Sequence, residues 1–210
     1  MKKQFKLMLL ALTIICVWSC NDDDSPRVVL FDVQIVALYP EDFNRESAEG
    51  VTIVLRNNAT GSEKEAISGI AYDEFGKPCL ENGAGQISVA HSGKYATLII
   101  SKTTRVGVDI EAIQPKIIKL AHKFLTKEEM EYTFASRTIE SLCVIWCAKE
   151  ALYKLQGGRG VVFSENIHIN NFTFTGNGHL TGYVTREQKR SQYQVFYESL
   201  DDYILVYSIE

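Results

Sequence analysis

The sequence predicts an α+β protein in which strands come before and after a helical region. Apolar residues alternate or run together in residues 86–90 and 95–101, as they do in paired strands. Between residues 142 and 153, apolar side chains recur at helical spacing. Residues 161–210 again contain strand-like stretches, separated by Gly and Asn. Strands and helices in separate blocks are typical of the α+β class.

The composition fits a folded globular chain of ordinary size. Its 210 residues suffice for one domain or two small ones. Hydrophobic residues make up 46% and charged residues 23%, which excludes a disordered tail, a collagen-like repeat and a coiled coil. The net charge of −4 provides no basic field for a phosphate backbone, so no nucleic-acid partner is expected. Five cysteines do not make a disulfide framework in a chain of this length.

Residues 1–20 have the pattern of an export leader. Three lysines precede an apolar run at residues 7–18, which is too short for a bilayer span of roughly 20 residues. The run ends in Val-Trp-Ser-Cys, and Asn and three Asp follow. This resembles a bacterial lipoprotein signal, which implies a lipid anchor at Cys20 and export from the cytoplasm. A first helix buried in the domain is the alternative, although the run has no polar face.

Residues 21–66 predict a β-rich segment whose fold stays open. Val, Ile and aromatic residues favour strands at residues 28–39 and 50–55. Residues 57–61 contain Asn and Gly, which accept the positive φ of tight turns. The pattern over residues 27–66 resembles the start of small prealbumin-like β-sandwich modules of surface lipoproteins, and it carries no chemically specific motif.

Residues 67–210 carry the more specific patterns. The predicted elements are, in order, a polar turn at 72–78 ending in Gly-Lys-Pro, strands at 86–90 and 95–101 joined by a loop at 91–94, and a strand at 104–110. Pro115 then opens a helical region. Thr126 and Glu129 form a capping box, after which a long helix is expected to end at the Gly pair 157–158. The tail predicts strands from residue 161 onward, including residues 167–174.

Two carboxylates near the end of a predicted strand point to a metal site. Asp109 and Glu111 are two residues apart and therefore share one face of the strand. Like charges this close are costly unless a cation lies between them, and hard oxygen ligands suit Mg²⁺. Glu150, on the long helix, offers a third carboxylate. A solvated strand edge is the alternative interpretation of the Asp-x-Glu pair alone.

Cationic and polar residues near these acids suit a polyphosphate ligand. Lys154 shares a helix face with Glu150, and Lys149 is adjacent to it in the chain. Ammonium groups beside a metal-binding acid can neutralise the outer phosphate oxygens. His91 and Ser92 offer further donors from the predicted loop. Taken singly, the helical acid and lysine could be an ordinary surface pair, and the histidine an ordinary loop residue.

Several of these motifs together resemble a known family. Residues 107–111 read Gly-Val-Asp-Ile-Glu, residues 124–129 read Phe-Leu-Thr-x-x-Glu, and residues 146–154 read Trp-Cys-Ala-Lys-Glu-Ala-Leu-Tyr-Lys. Gly-Lys-Pro at 76–78 and Val-Ala-His-Ser at 89–92 precede them. Their order and spacing resemble the signature of the 4′-phosphopantetheinyl transferases, in the larger single-chain form of the surfactin-synthetase type.

The resemblance covers about two-thirds of the chain, from residue 68 to the C-terminus, and implies a fold and a set of roles. The implied fold is a pseudo-twofold α+β fold of antiparallel sheets with packed helices, with coenzyme A between the two halves. The implied Mg²⁺ ligands are Asp109, Glu111 and Glu150; the implied coenzyme A contacts are Lys77, His91, Ser92, Lys149 and Lys154; and the implied catalytic residues are Glu150 and Lys154.

The resemblance also implies the reaction and its partners. A serine hydroxyl of an apo acyl or peptidyl carrier protein attacks the β-phosphate of coenzyme A, and 3′,5′-ADP leaves. The proton acceptor is Glu150 or a metal-bound water, and sequence does not choose between them. A chain that contains both halves is expected to act as a monomer. The pathway served, whether fatty-acid, polyketide or peptide synthesis, stays open.

The chain departs from the family pattern in its first half. Ala90 stands where the family has Ser, and no basic helix precedes Gly-Lys-Pro, so the first half is expected to be incomplete. The expected chemistry belongs in the cytoplasm, whereas the leader predicts export. The alternative function is therefore a non-enzymatic surface lipoprotein that carries a degraded, inactive transferase domain.

Overall fold

A computed structural model describes residues 34–38 and, with short gaps, residues 70–210 of the chain. The gaps are residues 75, 81–82, 84, 94, 102, 134–137 and 158–159. The leader predicted for residues 1–20 and most of the β-rich segment of residues 21–66 lie outside the described residues. Within that segment, the described residues 34–38 form a strand, as the sequence predicts for residues 28–39.

The described residues form ten strands and four helices. The strands are β1 (Gln34–Leu38), β2 (Ile70–Tyr72), β3 (Pro78–Leu80), β4 (Gln86–Ser92), β5 (Tyr95–Ser101), β6 (Val106–Ala112), β7 (Ile167–Ile169), β8 (Asn177–Arg186), β9 (Lys189–Leu200) and β10 (Tyr203–Ile209). The helices are α1 (Lys116–Phe124), α2 (Lys127–Thr133), α3 (Ile139–Leu155) and α4 (Phe163–Asn166).

Antiparallel pairing organises the strands into three sheets. The largest has five strands in the order β6-β10-β9-β8-β7. A second sheet has the order β1-β5-β4, and a small one pairs β2 with β3. The strand β6 lies at the edge of the large sheet and contacts both α3 and the second sheet. The predicted α+β class with antiparallel sheets and packed helices agrees with this arrangement.

The two faces of the large sheet bury different cores. One face packs against α3, with Leu142 and Leu152 of the helix buried against Val195 and Ile204 of the sheet. On the other face, alternate residues of β6 pack against the second sheet, as Val108 does. Since side chains alternate along a strand, Gly107, Asp109 and Glu111 point the other way, toward α3.

The helical region differs from the prediction in one respect. The predicted capping box is confirmed, because Thr126 N donates to Glu129 Oε2 at 2.6 Å and Glu129 N donates to Thr126 Oγ1 at 3.1 Å. It starts only the short helix α2, however, and the long helix α3 begins separately at Ile139. That second start has its own capping box, formed by Thr138 and Ser141, so the expectation of one continuous helix is wrong.

Two further boundaries are corrected. His91 and Ser92, predicted in a loop, are the last two residues of β4, where they pair with Ala96 and Tyr95. The strand predicted over residues 167–174 stops at Ile169. Asn170 then turns its side chain to Thr181 at 2.7 Å, and the two phenylalanines that follow pack against Tyr197 instead of extending the ladder. Among the helices of the described residues, none combines the length and apolar character of a membrane span.

Candidate active site

The site lies where β6 meets α3, and a glycine permits the contact. A Cβ atom added at Gly107 would lie 2.0 Å from the backbone oxygen of Ala151. Only a residue without a side chain therefore allows the helix to approach the strand this closely. The contact brings Glu150 and Lys154 of α3 alongside Asp109, two residues beyond the glycine on the same face of β6.

Lys154 joins the helix to the strand. Its Nζ lies 2.8 Å from Asp109 Oδ1 and donates to the Val108 carbonyl at 3.0 Å. The lysine side chain is 28% exposed, whereas that of Asp109 is only 8% exposed. The other carboxylate oxygen of Asp109, Oδ2, is buried and has no hydrogen-bond partner among the described residues. The pair is thus open to solvent on the lysine side and unsatisfied on the acid side.

Burial and mutual repulsion favour the protonated forms of two of the acids. Burial raises the pKa of Asp109 above its ordinary value, the ammonium of Lys154 opposes this, Glu111 adds to it, and the nearby thiol of Cys147 lowers it. That thiol donates to the Ile204 carbonyl, so it leaves Asp109 Oδ2 without a hydrogen bond. For Glu150, burial raises the pKa to about 7, with a further rise from the charge of Asp109. Lys154 lowers the pKa of Glu150, and Glu111 raises it slightly. The carboxylates therefore lie close enough to influence one another's protonation.

Ser92 reaches the same cluster from the second sheet. Its Oγ donates to Glu111 Oε2 at 2.8 Å and accepts from the backbone N–H of Ala112 at 3.3 Å. His91, the preceding residue of β4, is exposed and lies on the opposite face of that strand. The structure thus brings Ser92 to the acids and places the side chain of His91 on the other face.

The three acids have the ligand chemistry that Mg²⁺ requires. They supply hard oxygen donors, and the buried Oδ2 of Asp109 is an atom that a cation would satisfy. A cation would also relieve the repulsion that raises the pKa of Glu150. As the side chains stand, no group of three or more His, Cys, Asp or Glu residues in the described ranges could hold a metal ion. The residues fit the ion in kind and charge, and the metal site stays a prediction.

Lys149 does not belong to this site, which corrects its predicted contact with coenzyme A. Its side chain is fully buried and its Nζ lies 2.7 Å from Glu129 Oε2. The same ammonium donates to the carbonyls of Phe163, at 3.0 Å, and Ile167. All of its donors thus face the protein interior. The chain places adjacent residues of a helix on different sides, so Glu150 faces the site and Lys149 the core.

Glu129 was predicted only as a helix cap, yet it is also the buried partner of that lysine. Its Oε1 accepts from the backbone N–H of Ile169 at 2.7 Å, so the carboxylate joins α2, α3 and β7. The capping box identified the residue. Its pairing depends on the approach of two helices and a strand, for which the sequence has no signal.

Lys77 lies apart from these contacts, in the turn between β2 and β3. Its backbone N–H donates to Asp73 Oδ1 at 2.9 Å, which closes the turn. Its predicted contact with coenzyme A is not tested by this position and stays a prediction, as does that of His91.

A family comparison covers the region that builds this site. Residues 105–208 match the model of the 4′-phosphopantetheinyl transferase superfamily. The matched region includes Asp109, Glu111, Glu150 and Lys154. This domain, about half of the chain, therefore belongs to the 4′-phosphopantetheinyl transferase superfamily, a class of enzymes.

Individual relatives agree with this class. The 4′-phosphopantetheinyl transferase AcpT of Salmonella typhi is 32% identical over 95 residues, 42% of this chain and 50% of AcpT. A putative 4′-phosphopantetheinyl transferase of Synechocystis is 33% identical over 94 residues, 41% of this chain and 38% of its own. The 4′-phosphopantetheinyl transferase Sfp of Bacillus subtilis is 27% identical over 88 residues, 40% of this chain and 39% of Sfp. The chain spans half or less of the length of these relatives.

Proposed function

We propose that this protein transfers the 4′-phosphopantetheine group from coenzyme A to a serine of an apo carrier protein, in a reaction that depends on Mg²⁺. The observation that carries the proposal is the pairing of Lys154 with a buried Asp109 whose second oxygen has no partner, beside two further carboxylates. Membership of the transferase superfamily supports the same reaction.

The acidic and basic side chains of the site have different proposed roles. Asp109, Glu111 and Glu150 would hold Mg²⁺, which when bound supplies positive charge to the diphosphate of coenzyme A. Lys154 holds a partly exposed ammonium group beside Asp109, where it can neutralise a phosphate oxygen. Glu150 is proposed as the proton acceptor as well as a metal ligand; its pKa of about 7 belongs to the metal-free protein, and a bound cation would lower it.

Finer features belong to the same proposal. The chain would act as a monomer of the single-chain, surfactin-synthetase type, with residues 67–210 as the transferase domain. Lys77 would lie near the adenosine 3′-phosphate of coenzyme A, and His91 would contact phosphate oxygens. The cytoplasm is the proposed compartment, since coenzyme A and apo carrier proteins are its substrates; the leader-like residues 1–20 favour export and a lipid anchor at Cys20 instead.

The test is a transfer assay read by mass spectrometry. Purified protein is mixed with coenzyme A, Mg²⁺ and a panel of apo carrier proteins, and we expect a carrier to gain the mass of one phosphopantetheine. Asp109→Ala and Glu150→Ala should each abolish the gain, as should removal of Mg²⁺ with EDTA. Glu131→Ala, which removes an exposed carboxylate of α2, is the matched control and should keep it. Full activity in either site variant would show that the metal assignment is wrong. If the folded wild-type chain modifies no carrier, the inactive-lipoprotein alternative is favoured.

A further inference from the structure

The turn between β4 and β5 packs against the large sheet, close to the acidic cluster of Asp109, Glu111 and Glu150. Gly93, in this turn, has a φ of 51°, and a Cβ atom added to it would lie 2.3 Å from the hydroxyl oxygen of Tyr203. The ring of Tyr95 packs edge-on against that of Tyr203, with centroids 4.9 Å apart, and its hydroxyl donates to Asp201 Oδ2 at 2.6 Å. Since Tyr203 begins β10, the strand paired with β6, these contacts fix the turn relative to the end of β6.

Ser92 occupies the position that this packing determines. It is the last residue of β4, directly before the glycine, and its Oγ accepts from Ala112 N while donating to Glu111 Oε2. One hydroxyl thus holds both the backbone and the side chain at the end of β6. The acid that it contacts comes from a different sheet, so the contact crosses the boundary between the two sheets.

The direction of this hydrogen bond determines what Ser92 can do. A serine hydroxyl has one proton to donate, and here that proton goes to a carboxylate. A phosphate oxygen of coenzyme A is also an acceptor, so the two would compete for the same proton. While the hydroxyl of Ser92 donates its hydrogen bond to Glu111, it has no second proton with which to bind the substrate.

We propose that Ser92 is a positioning residue that orients Glu111 toward the divalent cation and does not itself contact coenzyme A. The hydrogen bond restrains the rotation of the Glu111 carboxylate and leaves Oε1 for the ion. Carboxylate ligands are commonly held in this way, and loss of such a partner lowers metal affinity about 10–100-fold. The proposal rests on the proposed metal site and replaces the predicted role of Ser92 in binding the substrate.

The chain offers a matched control on the same strand face. Ser88, four residues earlier on β4, accepts from the backbone N–H of Val108 at 3.1 Å. Like Ser92, it links β4 to β6 through its hydroxyl, but its partner is a backbone group and not a carboxylate. Ser88→Ala therefore removes a comparable link between the sheets and leaves Glu111 with its partner.

The experiment measures Mn²⁺ binding by electron paramagnetic resonance and calorimetry, without coenzyme A. Folding of each variant is first checked by circular dichroism. We expect Ser92→Ala to weaken Mn²⁺ binding about 10-fold, Ser92→Thr to restore it because the hydroxyl returns, and Ser88→Ala to leave it unchanged. Coenzyme A affinity in EDTA should be the same in all four proteins.

The outcomes separate this proposal from the proposed function. Wild-type Mn²⁺ affinity in Ser92→Ala, or a loss of coenzyme A affinity in EDTA, would overturn the positioning role. An equal loss of Mn²⁺ affinity in Ser88→Ala would overturn it as well, because the effect would then come from loosening the sheets. A wild-type protein that binds no Mn²⁺ overturns it too. If the expected pattern appears but no carrier is modified, the positioning role stands and the transferase function fails.

Discussion

Two lysines of α3 pair with carboxylates of other elements at nearly equal distances but in opposite surroundings. Lys149 and Glu129 are 2.7 Å apart and neither side chain is exposed. Lys154 and Asp109 are 2.8 Å apart, and the lysine is partly open to solvent. We call the first the closed pair and the second the open pair.

The difference between the pairs is in how completely each acid is satisfied. In the closed pair, both oxygens of Glu129 accept hydrogen bonds from the backbone N–H groups of Thr126 and Ile169, in addition to the lysine. In the open pair, one buried oxygen of Asp109 has no partner within the described residues. A fully satisfied buried pair joins elements of the fold. An unsatisfied one beside other acids is costly for the protein alone, which is typical of a site that binds something.

The largest expected effect on stability comes from breaking the closed pair. Lys149→Met leaves the charge of Glu129 buried and unpaired, so the free energy of unfolding should fall by about 3–5 kcal/mol. Urea denaturation monitored by tryptophan fluorescence measures it. Lys154→Met is the comparison and should lose less, because the pKa of Asp109 is already raised and the acid can take up a proton.

A second substitution sharpens this result. The double variant Lys149→Met/Glu129→Gln removes the uncompensated charge and keeps an acceptor for one of the two backbone N–H groups that Glu129 satisfies. It should therefore be more stable than Lys149→Met alone. Equal stability of the two variants would mean that lost packing, and not the buried charge, causes the destabilisation.

The next effect concerns the contact that brings the open pair together. Gly107→Ala places a Cβ atom against the backbone of Ala151, so α3 must move away from β6. Overpacking of this kind costs about 1–3 kcal/mol, and the displaced helix should also weaken Mn²⁺ binding. Gly178→Ala is a milder comparison, because its nearest neighbour is the Tyr197 hydroxyl at 3.1 Å and not a backbone atom. Near-wild-type stability and Mn²⁺ affinity in Gly107→Ala would contradict the close contact.

A smaller effect should appear in the pH dependence of stability of the metal-free protein. The pKa of Glu150 is raised from its ordinary value of 4.5 to about 7 in the folded chain. Between these pH values the folded state keeps a proton that the unfolded state has lost. The free energy of unfolding should therefore fall as pH rises through this interval, by at most about 1.4 kcal/mol per pH unit for one proton.

Glu150→Gln tests the assignment of that proton. Chemical denaturation in EDTA at several pH values should show a shallower decline for the variant than for the wild type. Other buried groups titrate in both proteins, so the difference between the curves is the informative quantity. Parallel curves would mean that Glu150 is not the group that holds the proton.

How far the sequence predicts this molecule depends on the range of the interaction. Local rules predicted the capping box at Thr126, the helix after Pro115 and the hairpin of β4 and β5, because each depends on residues close in the chain. The spacing of Asp109 and Glu111 likewise predicted a shared strand face. The family resemblance indicated Glu150 and Lys154, and the structure places both beside these acids.

The errors concern contacts between distant elements. Lys149 and Glu150 are neighbours, and no local pattern distinguishes the residue that faces the core from the one that faces the site. Their difference arises because Glu129, twenty residues earlier, lies beneath α3. No local pattern indicated that the hydroxyl of Ser92 contacts an acid of another sheet. Its predicted contact with coenzyme A stays a prediction, to which the positioning role is our alternative. Such pairings depend on how sheets and helices pack, which a single sequence does not record.

The smallest expected effect on stability should accompany the largest loss of function, in Asp109→Asn. The amide has nearly the shape of the carboxylate and removes a buried charge whose raised pKa shows that burial disfavours it. We expect the free energy of unfolding in EDTA to change little compared with the loss of about 3–5 kcal/mol in Lys149→Met, while Mn²⁺ binding and carrier modification are lost. Lys154 should remain hydrated, since it is partly exposed. A large loss of stability would instead show that the open pair stabilises the fold as the closed pair does. A small loss together with lost Mn²⁺ binding is what a residue kept for its ligand should show.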